Sequence, residues 1–308
     1  MADLTKYNGE YVSSEIRKPL SDTKEAKSFL ISGNEFLTQP NPIKWLIKGV
    51  LQENSIAMIH GQSGSGKSLL ALDWMLHLAT GKNDWFGHEV YPCDVVYLNG
   101  EGHHGMYSRV AAWAADKGVS TIDRFCISHG SEDLDNPLQL RKVIDEIHGT
   151  GLNPGVIVID TLNRFFSKDE NYPQDIRIFL NACQNLHREF GSSIIIVHHT
   201  GIKAKSQGRA RGSSMWRSSM DQEFSIAPQG KSGLTLAQIK IRDGETMDPI
   251  KLKLRVINIP GWLDDDNEPV SSVVLEKVDR NTNQIKQQPN SIFESPICMR
   301  ESEEDSNG

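Results

Sequence analysis

The chain has 308 residues, 38% of them hydrophobic and 24% charged, with 40 acidic against 33 basic side chains for a net charge of −7. That length accommodates one large domain or two modest ones, and the acidic balance excludes a protein that coats nucleic acid over its whole surface while leaving room for a local basic site. No apolar run approaches the roughly 18 residues of a membrane span, MADLTKYNGE lacks a signal peptide's pattern, and Cys93, Cys126, Cys183 and Cys298 show no metal-ligand spacing, so a cytoplasmic protein with reduced thiols and no membrane partner is expected.

Residues 1–42 are polar and weakly patterned, an N-terminal arm with a short helix expected near Lys24–Leu30. Dense apolar patterning starts near Trp45. SIAMIH (Ser55–His60) reads as a buried strand, followed by a helix over Ser68–Thr80 that Gly81 stops. DVVYLNG (Asp94–Gly100) is a second strand, Met106–Lys117 a helix ended by Gly118, and FCIS (Phe125–Ser128) a third strand. Pro137–His148 is an amphipathic helix, GVIVID (Gly155–Asp160) a fourth strand, Pro173–Phe190 a helix and SSIIIVHH (Ser192–His199) a fifth strand. Continuous Val/Ile runs between helices mean strands covered on both faces, hence a mainly parallel sheet of the α/β class. Past residue 220, QEFSIAP, LTLAQIKI, IKLKLRVI and SSVVLEKV follow one another without helices. They predict antiparallel hairpins added to the sheet edge. The domain is expected to span 43–280, and 281–308, ending ESEEDSNG, reads as an acidic flexible tail.

GQSGSGKS (Gly61–Ser68) matches G-x-x-x-x-G-K-S/T in full, after a strand and opening a helix. Backbone amides of such a loop close around a phosphate, and the helix N-terminus adds its positive dipole end. The candidate cradle is Gly61, Gln62, Ser63, Gly64, Ser65, Gly66, Lys67, Ser68 and Leu69, with Lys67 reaching the β- and γ-phosphates and Ser68 ligating Mg²⁺. Asp160, at the carboxyl end of its strand, is placed to hold the Mg²⁺ shell. Glu101, flanked by Gly100 and Gly102, is placed to orient a water against the γ-phosphate. One of His198 and His199 is placed to sense that phosphate, because side chains alternate across a strand. His103 and His104 beside Glu101 have no third ligand at a zinc spacing.

These parts in this order resemble the RecA-type ATPase core, and within it the RepA-like hexameric helicase ATPases of plasmids and phages. The resemblance is carried by WLIKGVLQENSIAMIHGQSGSGKS, by VVYLNGEGHHGMYSRVAAW, and by VIVIDTLNRFF followed by SSIIIVHHTG and RGSS, over about 43–260. It implies ATP with Mg²⁺, a homo-oligomeric ring of six copies, and movement on single-stranded DNA. It matches Glu101 to the catalytic glutamate, Asp160 to the second acid and His199 to the sensor. KIRDGE resembles the K-x-R pattern by which Lys240 and Arg242 would enter a neighbouring subunit's ATP, although Arg217 is an alternative finger.

The resemblance also gives a use for GIKAKSQGRARGSSMWR, which holds five cations and no acid. In a RecA-type ring the loops after the sensor strand face the channel. Lys203, Lys205, Arg209, Arg211 and Arg217 would then meet the phosphates of single-stranded DNA, and Trp216 would either stack on a base or pack. The expected function is a replicative DNA helicase. The alternatives are a single-stranded-DNA-binding recombinase ATPase and a non-motor ATP switch acting as a loader. The acidic tail would recruit a replication or recombination partner or only solubilise the chain.

Overall fold

The computed structural model describes residues 30, 32–38, 42–199, 214–230 and 233–278. It divides into two units, Met1–Pro42 and Ile43–Gly308. In the first, α1 is a single exposed helix, Gly33–Thr38, whose Glu35 amide donates to Ser32 Oγ at 3.3 Å. Apart from Leu30, the helix expected near Lys24–Leu30 lies outside the described residues, as does the acidic tail.

The second unit is built on a nine-stranded sheet. In chain order its elements are β1 (Trp45–Ile47), β2 (Leu51–Gln52), β3 (Ile56–Gly61), α2 (Lys67–Thr80), β4 (Asp84–Trp85), β5 (His88–Glu89) and β6 (Asp94–Asn99). Then come α3 (His103–Lys117), β7 (Phe125–Ile127), α4 (Pro137–Gly149), β8 (Pro154–Asp160), α5 (Leu162–Phe165), α6 (Pro173–Phe190) and β9 (Ser193–His199). The last are α7 (Ser214–Ser219), β10 (Gln222–Gln229), β11 (Gly233–Ile241), β12 (Ile250–Leu263) and β13 (Pro269–Lys277). The large sheet runs β13-β12-β11-β10-β3-β9-β8-β6-β7. From β10 to β7 every pairing is parallel, and from β10 to β13 every pairing is antiparallel.

The apolar strands divide their side chains between two cores. On β9, Ile195 and Val197 face α2 and α3, while Ile194 and Ile196 face α4 and α6. That two-sided cover is why the Val/Ile runs do not alternate with polar residues. The helix behind the phosphate loop, α2, is buried almost all round, as a helix packed from every side requires. It is tied sideways as well. Buried Asp73 accepts Trp85 Nε1 at 2.7 Å and Trp113 Nε1 at 2.9 Å. Burial pushes that carboxyl above its ordinary pKa, against the opposing charge of His77 and the two indole donors.

The sequence patterns miss the shortest pieces. The ribbons β1–β2 and β4–β5 and the helices α5 and α7 are two to six residues long, too short to show a period. The strand read from IKLKLRVI continues as β12 to Leu263, past Pro260 and Gly261, with a register shift between Asn258 and Leu263.

Candidate functional site

The cradle forms where β3 ends and α2 begins. Gly66 adopts φ +88°, a left-handed conformation that a side chain strains. It turns the chain into α2 without a side-chain cap, so the amides of the first turn keep their capacity to bind an anion. Lys67 is buried, and its Nζ donates to the carbonyls of Gly61 at 3.1 Å and Gln62 at 2.8 Å. Burial lowers its pKa to about 8, against the pull of Asp160 and Glu101. Ser65 is also buried, and its Oγ has no hydrogen-bond partner among the described residues. A buried ammonium and a spare hydroxyl inside a loop of amides fit a polyphosphate.

Next to the cradle, Ser68 Oγ donates to Asp160 Oδ1 at 3.1 Å. A hydroxyl and a carboxylate already side by side fit the few protein oxygens that Mg²⁺ takes beside phosphate. The other Asp160 oxygen accepts the Tyr97 hydroxyl at 2.5 Å. Burial pushes Asp160 upward, while the bonds from Tyr97 and Ser68 oppose it. Tyr97 was missed in the sequence. Its one signal is a polar-tipped residue inside the apolar run DVVYLN.

Glu101 stands just beyond β6, half-exposed. Arg164 Nε donates to its Oε1 at 2.9 Å, and Thr161 Oγ1 lies 3.5 Å from the same atom. The Gly100 amide bonds Asp160 O at 2.6 Å, stitching the ends of β6 and β8 together. A Cβ on Gly100 would lie 2.3 Å from Arg164 Cβ, so only glycine lets α5 come this close. Arg164 is the second group the sequence analysis missed. Its spacing, four residues after Asp160, returns it to the strand end by one helical turn.

Alternation settles which histidine faces this group. His198 lies fully buried with the α4–α6 core, its ring 6.1 Å from Trp216. His199 lies on the α2 side. Its imidazole is held below its ordinary pKa by burial and by Lys67, with Glu101 and Asp160 opposing. Lys67, Ser68, Glu101, Asp160 and His199 therefore meet at the carboxyl ends of β3, β6, β8 and β9.

The remaining expected residues do not join them within one chain. Ile241 pairs with Gln222, and Gln222 with Ala57, so Lys240 and Arg242 stand near the start of β3, whereas the cradle opens at its end. Arg242 pairs with Asp221 at 2.8 Å. Lys240 donates to the carbonyls of Arg217 at 2.7 Å and Met220 at 2.5 Å. Arg217 faces Glu223 at 3.1 Å, and Trp216 packs as a buried core residue. Lys203, Lys205, Arg209 and Arg211 lie outside the described residues.

The lysine carries a pH prediction. Free Lys67 titrates near 8, and a bound polyphosphate would raise that value by adding negative charge. Above pH 8 binding must therefore take up a proton. Affinity for a fluorescent ATP analogue should be flat below about pH 8 and fall about tenfold per unit above it. An isotherm unchanged between about pH 7 and 9.5 would mean that binding takes up no proton at Lys67, whose protonation would then be the same in the free and the bound protein.

Comparison with known proteins agrees with the fold. A family model described as "AAA domain" matches residues 21–205. A solved KaiC-like protein from the hyperthermophilic archaeon Pyrococcus horikoshii OT3 superposes with a TM-score of 0.51 at 14% identity, covering 76% of this chain and 100% of that one. At that identity the likeness is one of fold, the RecA-like α/β architecture.

Proposed function

We propose that this chain, which belongs to the AAA domain family and has that family's nucleotide-hydrolysing core, is an ATP-driven motor on single-stranded DNA, a ring-forming replicative helicase. The observation that carries the ATP half is the meeting of Lys67, Ser68, Glu101, Asp160 and His199 at neighbouring strand ends. Lys67 and the amides of Gly61–Ser68 would hold the triphosphate, and Ser68 with Asp160 would hold Mg²⁺. When bound, that ion supplies charge neutralisation on the phosphates. Glu101 would orient the attacking water and accept its proton. His199, close enough to Lys67 and Asp160 to feel both charges, would register the terminal phosphate.

The DNA half rests on the sequence that follows β9. Five cations in seventeen residues follow the strand that ends in His199, and such a segment suits a phosphate backbone read without regard to base. Arg217 is partnered by Glu223, so the proposed DNA contacts are Lys203, Lys205, Arg209 and Arg211. Lys240 and Arg242 stand apart from the cradle of their own chain, so the ATP they would reach is a neighbouring subunit's. Among the described residues no helix is long and apolar enough to cross a membrane.

The test is ATP turnover with and without single-stranded DNA, on protein whose mass is read in the same ATP·Mg²⁺ buffer. Stimulation with a discrete ring mass supports the helicase. Stimulation with an open-ended mass distribution would move the reading to a filament-forming recombinase, and no stimulation would move it to a loader-type switch. Changing Lys203, Lys205, Arg209 and Arg211 together to Ser should remove the stimulation. It should also reduce the slope of log affinity against log salt by about 3, the share of four phosphate contacts on a single strand. An unchanged slope would place the DNA elsewhere.

A further inference from the structure

Glu223 is a carboxylate cut off from water. Its side chain is 1% exposed, and it sits on β10 beside the strand that delivers the cradle. A buried carboxylate keeps its charge only beside a compensating group. Two groups face it, of which Arg217 is the permanent cation. His60 Nε2, itself fully buried, lies 3.1 Å from one oxygen. Arg217 Nε lies 3.1 Å from the other. Neither contact has the alignment of a hydrogen bond, and His60 Nδ1 has no hydrogen-bond partner among the described residues. The three groups come from three elements, β3, β10 and α7. None belongs to the cradle or to the Mg²⁺ donors.

Arg217 is the removable member, because its side chain is 49% exposed. The helix that carries it is otherwise well held. Trp216 is buried, donates to Glu170 O at 3.0 Å and packs against His198, the neighbour of His199. Lys240 bonds the carbonyls at the helix end. So α7 reaches two of the four strands whose ends carry nucleotide-site groups, β9 through Trp216 and His198, and β3 by way of Glu223 and His60.

The cradle has a direct hold on the same trio. Lys67 Nζ donates to Gly61 O, the residue after His60. Phosphate oxygens in the cradle would compete for the donors of that ammonium. Gly61 O would then lose a charged partner one peptide from His60. In a low-dielectric interior, a small shift of one charge is felt by the others.

We propose that Glu223 is a positioning residue that couples the phosphate cradle to α7, His60 carrying the change from β3 and Arg217 carrying it into the helix. The coupling rests on the reading of the cradle as an ATP site. In sequence α7 follows directly on the segment proposed to hold DNA, which gives the coupling a use.

Hydrogen–deuterium exchange tests it on the full chain, with ATPγS·Mg²⁺ as the probe and its binding isotherm measured alongside. In the wild type, the probe should change exchange over Ser214–Ser219 by about fivefold or more. In Glu223→Gln the helix should exchange faster and that response should vanish, while affinity for the probe stays within about twofold. Arg217→Lys should keep part of the response and Arg217→Gln should lose it. That pair reads the coupling from a half-exposed position should Glu223→Gln fail to fold. A full nucleotide response in Glu223→Gln or in Arg217→Gln would overturn the proposal. So would a wild-type helix that ignores the probe while the isotherm shows it bound. A wild type that binds no probe would overturn the ATP-site reading, and the coupling with it.

Discussion

Lys67→Ala is expected to abolish ATP hydrolysis, lowering turnover by on the order of 10³-fold or more, as the loss of a preorganised charge on a transferring group does, while the protein stays folded. The second half follows from the environment of the side chain. Lys67 is buried, and its pKa of about 8 means that the folded protein holds the ammonium less well than water does. The sign follows from linkage. A lysine whose pKa is lowered by folding destabilises the protein below that pKa, and the penalty fades as pH rises from 8 toward 10.5. At neutral pH the penalty is roughly 3 kcal/mol, taking about 1.4 kcal/mol per pKa unit. Alanine removes it. In return Gly61 O and Gln62 O lose their donors, at about 1 kcal/mol each. The two effects nearly offset, so the melting temperature should hold or rise by a few degrees. Phosphate release, nucleotide affinity and a melting curve on one preparation check this. A variant that still turns over at more than about a tenth of the wild-type rate would remove Lys67 from the catalytic set.

The cradle was legible in the sequence because its physics is local. GQSGSGKS needs only a strand before it and a helix after it, and both carry their own periods. Asp160 and Glu101 were legible because apolar runs end at them, and the open end of a parallel strand is where ligands bind. The partners of those two acids were not. Tyr97 reaches Asp160 from the neighbouring strand β6, and Arg164 reaches Glu101 from a four-residue helix. Both contacts depend on the order of β6 and β8 in the sheet, which no spacing along the chain reveals.

Charge was the least legible property. Arg217 read as one more cation in a basic run, yet across the fold it stands against Glu223. Lys240 and Arg242 read as a finger, yet within their own chain they hold α7's end and Asp221. Local charge density says that a segment is attracted to something negative. Only the tertiary neighbours say whether that something is another molecule or the chain itself.

Glu101→Gln should separate binding from chemistry. Gln is nearly isosteric with Glu, so it leaves Lys67, Ser68 and Asp160 in place and keeps a carbonyl oxygen for Arg164 Nε, now held at 2.9 Å. The Glu101–Arg164 pair is largely open to solvent, and such pairs contribute only about 0–1 kcal/mol, so stability should change little. Nucleotide affinity should stay within about threefold, because the lost group faces the attacking water rather than the phosphates. Hydrolysis should fall by on the order of 10²–10⁴-fold, the usual worth of a general base. Lys67→Ala should depress binding and turnover together; this variant should depress turnover alone. The discriminating measurement is therefore a single-turnover rate beside an equilibrium isotherm. Equal losses in both would mean that Glu101 serves the bound nucleotide rather than the water. Retained turnover would mean that the half-exposed carboxylate held by Arg164 is a surface ion pair and that the base lies elsewhere at the strand ends.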